Sequence, residues 1–270
     1  MKLGISSFTY TWAVGVPGYP VSEPLTPTEL IGKAVELGVG VVQICDNMPA
    51  HDLDDAALSE LSQCASDNSI AIELGVRGSS PRHMNRYLDL ALRLDASLLR
   101  VVLDTEVDHA SPAELVRRLN HVVPRLRGND IRIGIENHDR FKARDLVAIL
   151  QALDNERVGI CLDTVNSFGA LEGPEVVVST LGPWTINLHI KEFAIYRPDH
   201  KMGFVLECRP VGEGQLNVPW LLASLRPFGR EMNAILELWT PPEKTVAATV
   251  AKEDRWVRQS VRYLRELIPD

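Results

Sequence analysis

The sequence predicts an α/β protein, a single (β/α)8 TIM barrel domain over residues 1–270, on three observations. Eight short apolar runs alternate with amphipathic helical periods along the whole chain. The length of 270 residues is near the about 250 typical of such a barrel. The last four apolar runs each end in, or run into, a residue able to bind a metal: Glu136, Asp163, His189 and Glu237.

The strand candidates are residues 2–6 (KLGIS), 41–45 (VVQIC), 70–75 (IAIELG), 98–103 (LLRVVL), 131–136 (IRIGIE), 158–163 (VGICLD), 185–191 (TINLHIK) and 233–239 (NAILELW). Helical periods occupy 27–37, 54–67, 80–94, 111–127, 143–153, 174–181, 218–225 and 252–267. Thr26 is placed to cap the first, with Pro27 at its first position. Ser111, Pro112 and Glu114 open another as a capping box. An open doubly wound sheet is the competing architecture, but its GxGxxG phosphate loop does not follow the first strand. Two connections are long, Thr9 to Thr26 and Glu192 to Asn217. Both follow strands, so both belong to the catalytic face, where such loops build lids and pockets.

The hydrophobic fraction of 45% and charged fraction of 24% are those of an ordinary globular protein. The net charge of −8 argues against a nucleic-acid partner, which calls for a basic face, and gives no attraction to anionic membranes. No apolar run approaches the roughly 20 residues that span a bilayer. The N-terminus, MKLGISSFTYTW, lacks the apolar core and cleavage site of a signal peptide, so a cytoplasmic location is the expectation. Cys45, Cys64, Cys161 and Cys208 are scattered without CxxC spacing and read as free thiols.

An acid at a strand end is often a helix cap or a salt-bridge partner, and His189 taken alone reads as a core histidine. Four such residues on successive strands are different, because neighbouring strand ends of a barrel converge. Three carboxylates and one imidazole favour Mn2+, Mg2+ or Co2+, with Zn2+ as the further alternative. A single divalent cation held this way keeps open positions for a substrate's hydroxyl and carbonyl oxygens.

The motifs IENHDRF, CLDTVNSFG, LHIKEF, VGEGQL and LELW resemble those of the xylose-isomerase-like TIM-barrel superfamily of sugar phosphate isomerases/epimerases, related to ketose 3-epimerases and AP endonucleases. The resemblance covers nearly the whole chain. It implies that Glu136, Asp163, His189 and Glu237 bind the metal, and that Glu136 and Glu237 are the catalytic acid and base on opposite faces of a bound sugar. Barrels of this kind often pair and cover each other's loops, so a homodimer is an open alternative.

The chain departs from its relatives in two ways. Asn166 stands where the AP endonuclease branch has a histidine, and LECRP lacks another, so one metal is expected rather than three and DNA repair is disfavoured. Lys142 stands where ketose 3-epimerases usually carry an acid that touches the sugar, and Lys191 lies two residues beyond His189. Cations beside a carboxylate-rich site point to a sugar acid or a sugar phosphate. Lys142 and Lys191 are the favoured anion-binding residues, with His138, Asn166, Arg197 and Arg209 as further substrate contacts. Arg77, Arg100 and Lys201 read as solvated surface. Tyr10, Trp12 and Trp239 are read as apolar walls, against the alternative of core packing, and Gln43, Asp46 and Glu73 as hydroxyl contacts.

The favoured function is a divalent-metal-dependent isomerase or epimerase of a small carbohydrate derivative, working through an enediolate. The first alternative is a metal-dependent lyase, a decarboxylase or dehydratase of a 3-oxo or hydroxy sugar acid. The second is a non-catalytic sugar-binding barrel.

Overall fold

A computed structural model describes residues 1–269. Eight parallel strands close into a barrel: β1 (Leu3–Ser6), β2 (Val41–Ile44), β3 (Ala71–Arg77), β4 (Leu98–Val102), β5 (Arg132–Glu136), β6 (Val158–Asp163), β7 (Thr185–Ile190) and β10 (Ala234–Leu236). Around the ring the order is β1-β10-β7-β6-β5-β4-β3-β2. Each strand lies within one of the eight apolar runs or extends it by two residues at most.

Helices α2 (Pro27–Leu37), α3 (Asp55–Asp67), α4 (Pro81–Arg93), α5 (Pro112–Arg127), α6 (Ala143–Leu153), α7 (Pro174–Leu181), α8 (Val218–Leu225) and α9 (Val246–Leu267) form the outer layer. Thr26 accepts from Glu29 N–H and closes a capping box at α2, which stops at Gly38 in the left-handed conformation, φ 63°. Ser111 caps α5 through Glu114 N–H, but the Glu114 side chain is drawn to Arg118 instead of completing the box. Helices bury one apolar stripe each; α5 buries Leu115, Leu119, Val122, Val123 and Leu126, each stabilising by roughly 1.5–3 kcal/mol.

Three features differ from the sequence reading. The last helix starts at Val246, six residues before the expected Lys252, because Thr245 caps a first turn (VAATV) with no polar face to reveal it. The connection after β1 contains a 3-10 turn, Ser7–Tyr10, and a short helix α1, Thr11–Val14. The connection after β7 contains an antiparallel hairpin, β8 (Glu192–Tyr196) and β9 (Val205–Arg209).

Candidate metal centre and active site

The four strand-end donors meet on the catalytic face. Asp163 on β6 and His189 on β7 are direct partners in the sheet. Glu136 ends β5 beside Cys161, and Glu237 follows β10, whose Ile235 pairs with His189. One ligand atom from each of the four lies within 4.8 Å of all the others. His189 Nδ1 is 3.3 Å from Glu237 Oε1, 3.6 Å from Glu136 Oε1 and 3.8 Å from Asp163 Oδ2. All four side chains are buried.

Each donor is aimed by contacts on its far side. Asp163 Oδ1 accepts the backbone N–H of Val165 and of Asn166, both at 2.8 Å, which caps the turn Asn166–Phe168 and directs Oδ2 inward. The Asn137 amide brackets the Asp163 backbone, accepting its N–H and donating to its carbonyl. Glu136 Oε1 accepts from Asn166 Nδ2 at 2.7 Å, and Glu237 Oε1 from Ser6 Oγ at 3.0 Å.

The orientation of His189 follows from a chain of acceptors. Glu73 Oε2 accepts from Gln43 Nε2 at 3.0 Å and from Asn187 Nδ2 at 3.0 Å. A carboxylate has only acceptors to offer, so the Gln43 amide must point its nitrogen at Glu73 and its oxygen at His189. His189 Nε2 therefore donates to Gln43 Oε1 across 2.9 Å, and Nδ1 faces the carboxylates. That arrangement aims a ring nitrogen at a metal.

Among the described residues Glu136 Oε2, Asp163 Oδ2, His189 Nδ1 and Glu237 Oε2 are buried and accept or donate no well-aligned hydrogen bond; the three carboxylate oxygens have ion pairs with Arg100 and Lys191 instead. Buried polar atoms are normally satisfied. Three inward carboxylates and an imidazole nitrogen, which gives up its proton when a metal binds, fit one divalent ion by donor type and spacing, with bonds to hard donors of about 2.0–2.6 Å.

Two buried cations share the cluster. Arg100 on β4 meets Glu136 through Nε, and Asp46 Oδ1 at 2.7 Å through Nη1. Lys191 Nζ lies 2.9 Å from Asp163 Oδ2 and 3.0 Å from Glu237 Oε2, and donates to Asn166 Oδ1 at 3.2 Å. Burial alone would raise the Glu136 pKa, but Arg100, then His189 and Lys191, outweigh it and hold the carboxyl at about 2. Glu237 is likewise held well below the usual carboxylate range, against burial, by His189, Lys191 and Arg100. Burial would also neutralise Lys191, and Asp163, Glu237 and Glu136 overcome it, keeping the ammonium charged. For His189 burial again opposes the charge. Cys161, pushed up to about 11 by burial, is a neutral thiol at pH 7, so Glu237 and Glu136 are the anions that favour the imidazolium.

Of the residues read from the sequence as substrate contacts, Lys191 and Asn166 lie in the cluster. Trp239, 45% exposed, lies beside it with Lys191 Nζ 4.5 Å from its ring centre. Trp12 and Trp239 border a cleft of about 460 Å³ together with Leu206, Glu207, Cys208 and Thr240. A second cleft of about 460 Å³ lies between Glu175, Phe193, Gln215 and Trp220, and neither cleft is lined by any of the four donors. Tyr10 is packed away from the donors, buried with Lys33 5.8 Å from its ring centre. Lys142 precedes α6, half-buried, and makes no ion pair among the described residues. His138 is drawn to Asp139, 3.2 Å away. Arg197 donates to Lys201 O in the hairpin and covers Phe204, while Arg209 pairs with Glu207.

The sequence reading of Arg100 as surface is corrected: it is 2% exposed at the heart of the site. The available signal was a charged residue inside the apolar run LLRVVL. Gln43 and Glu73 belong to the network behind His189, and Asp46 bridges Arg100 and Arg77, the latter at 3.0 Å. Glu253 on α9 also escaped notice. It accepts the backbone N–H of Trp12 at 2.9 Å and of Ala13 at 3.1 Å, fastening the connection after β1.

The sequence matches the family model for the xylose isomerase-like TIM barrel over residues 31–267. The chain belongs to that family. A 3-oxo-isoapionate decarboxylase of Pectobacterium atrosepticum is 34% identical over 264 residues, covering 98% of this chain and 95% of the relative. Among solved structures, D-psicose 3-epimerase in the presence of D-fructose superposes with a TM-score of 0.72 at 19% identity over 98% of both chains. A xylose isomerase-like TIM barrel protein from Mycobacterium smegmatis in complex with magnesium gives 0.66 at 15% identity, over 88% of this chain and 89% of that one. The family relation and the buried donor group are those of a barrel enzyme rather than of an inert scaffold. No helix among the described residues is long and apolar enough to cross a membrane.

Proposed function

We propose that this protein is a metal-dependent lyase that removes carbon dioxide from a 3-oxo carbohydrate acid. The observation that carries this reading is the engagement of Glu136 by the buried Arg100, which Asp46 anchors on its other side. An epimerase needs two carboxylates that exchange protons with substrate carbon; a glutamate held as an anion by a fixed buried cation is poorly suited to that. Decarboxylation of a 3-oxo acid needs no base at carbon, since the breaking C–C bond supplies the electrons. The relative that is 34% identical over nearly the full length is a decarboxylase of a 3-oxo sugar acid, which supports the same choice.

Glu136, Asp163, His189 and Glu237 would hold the ion, Mg2+, Mn2+ or Co2+ by their oxygen-rich chemistry, with Zn2+ as the alternative. The ion would supply an electrophile for the ketone and a neighbouring hydroxyl. Lys191, the ammonium beside the donors, would return a proton to the substrate carbon after carbon dioxide leaves. Trp239, beside Lys191, and Trp12 border the cleft through which substrate would reach the donors.

Epimerisation or isomerisation of a sugar acid or sugar phosphate is the second reading. It is favoured by two glutamates in one donor group, Glu136 and Glu237, 3.6 and 3.3 Å from His189 Nδ1. The deciding experiment is incubation of the Mn2+-loaded protein with 3-oxo sugar acids, sugar phosphates and neutral ketoses. Release of carbon dioxide with loss of the carboxylate is expected. Mass-conserving conversion with no carbon dioxide from any acid would sink the lyase reading.

A further inference from the structure

The two buried cations of the site are not equivalent. Arg100 stands behind Glu136 and is anchored on its other side by Asp46. Lys191 stands on the donor side. Its Nζ touches Asp163 Oδ2 and Glu237 Oε2, atoms of two of the four ligand candidates, and its remaining contact is Asn166 Oδ1. The ammonium hydrogen-bonds Asn166 and ion-pairs with both carboxylates. It therefore neutralises the very carboxylates on which a divalent ion would rest. An ion bound to those oxygens would bring a second positive charge within a few ångströms of Nζ in a buried site, where Coulomb repulsion is weakly screened.

The side chain has a place to go. The Trp239 ring centre is 4.5 Å from Nζ, the indole is 45% exposed, and it borders the cleft beside the site. An indole face holds a cation through its quadrupole. Among the described residues the other basic group near Asp163 and Glu237 is His189, itself a candidate ligand, so Lys191 is the one cation there that is not also a donor for the ion.

We propose that Lys191 is an internal cation that the divalent ion displaces. Without the ion its ammonium neutralises Asp163 and Glu237; on loading it withdraws along the Trp239 face toward the cleft and there receives the anionic group of the substrate. This rests on the metal-centre reading and adds a coupling to it. Ion and ammonium compete for two carboxylates, and a substrate anion that captures the displaced ammonium favours ion binding. Linkage makes the effect reciprocal, so the ion in turn raises the affinity for the anion.

The test is calorimetric titration of Mn2+ into the chelator-stripped protein and its Lys191→Met variant. The variant is expected to bind Mn2+ more tightly, by about 5- to 150-fold. It should also melt below the wild type without the ion, with the gap closing as Mn2+ is added. Equal or weaker Mn2+ binding by the variant overturns the proposal. Should the stripped variant fail to fold, the wild type alone decides. Acetic anhydride labelling of Lys191, read by peptide mass spectrometry, is expected to be low without Mn2+ and to rise with it; unchanged labelling overturns the displacement. A wild type that takes up no Mn2+ at all is a different outcome, and overturns the metal centre together with the displacement.

Discussion

His189 Nε2 is committed to Gln43 Oε1 at 2.9 Å, and Glu73, behind Gln43, dictates the direction of that hydrogen bond. The ring nitrogen facing Glu136, Asp163 and Glu237 is thereby chosen two residues away from the site. Gln43→Ala is expected to weaken Mn2+ binding by about 10- to 100-fold, the usual effect of losing an outer partner of a ligating histidine. Calorimetric titration measures it, and a variant that binds as tightly as the wild type would show that the Gln43 contact does not orient the ligand.

Glu136→Gln and Glu237→Gln each remove one anionic donor while conserving shape. Turnover should fall by at least about a thousandfold, the scale on which single groups at a reacting centre act. Circular dichroism should stay that of the wild type. A variant retaining most of its turnover would remove that glutamate from the site.

Arg100→Met leaves Glu136 buried without its cationic partner, and Asp46 with Arg77 alone. Removing one member of a buried pair costs about 3–5 kcal/mol. Urea unfolding in the presence of a chelator is expected to show a loss of that size, and a change under about 1 kcal/mol would mean the pair behaves as an exposed one.

Glu253 gives the fold a pH dependence of defined sign. Burial raises its pKa to about 8, against the two backbone N–H groups it accepts. A folded-state pKa above the unfolded one means that the native state binds the extra proton between about pH 4.5 and 8. Stability attributable to this group is therefore present below that window and is lost as pH rises through it. Relative to Glu253→Gln, the wild type should lose stability across that interval with a slope of up to about 1.4 kcal/mol per pH unit. Parallel stability curves from pH 5 to pH 8 would contradict the burial argument.

Much of the barrel was legible because it is written in local periodicity. An apolar run such as VGICLD or TINLHIK buries both faces only inside a parallel sheet covered on both sides, and a capped amphipathic period such as 27–37 lays one stripe on that sheet. The hairpin β8/β9 was not legible, since its strands are short and half-exposed, and the pairing of Phe193 with Cys208 exists only once the chain has turned back. Lys142 and Lys191 looked alike in sequence. Lys191 leaves β7 two residues after His189 and stays within the donor cluster, whereas Lys142 is reached after the chain has left β5 to begin α6.

The sequence by itself determined the eight strands, the strand-end positions of Glu136, Asp163, His189 and Glu237, and hence an oxygen-rich group of donors able to hold a metal on one face of a barrel. Those features depend on residue type and on spacing along one strand, which the chain carries locally. Tertiary structure decided which polar groups surround the donors. Arg100 behind Glu136, Gln43 behind His189 and Lys191 between Asp163 and Glu237 come from different strands. Charges in a buried site act across space over a few ångströms, so closure of the barrel, and not adjacency in sequence, sets which cation each carboxylate meets.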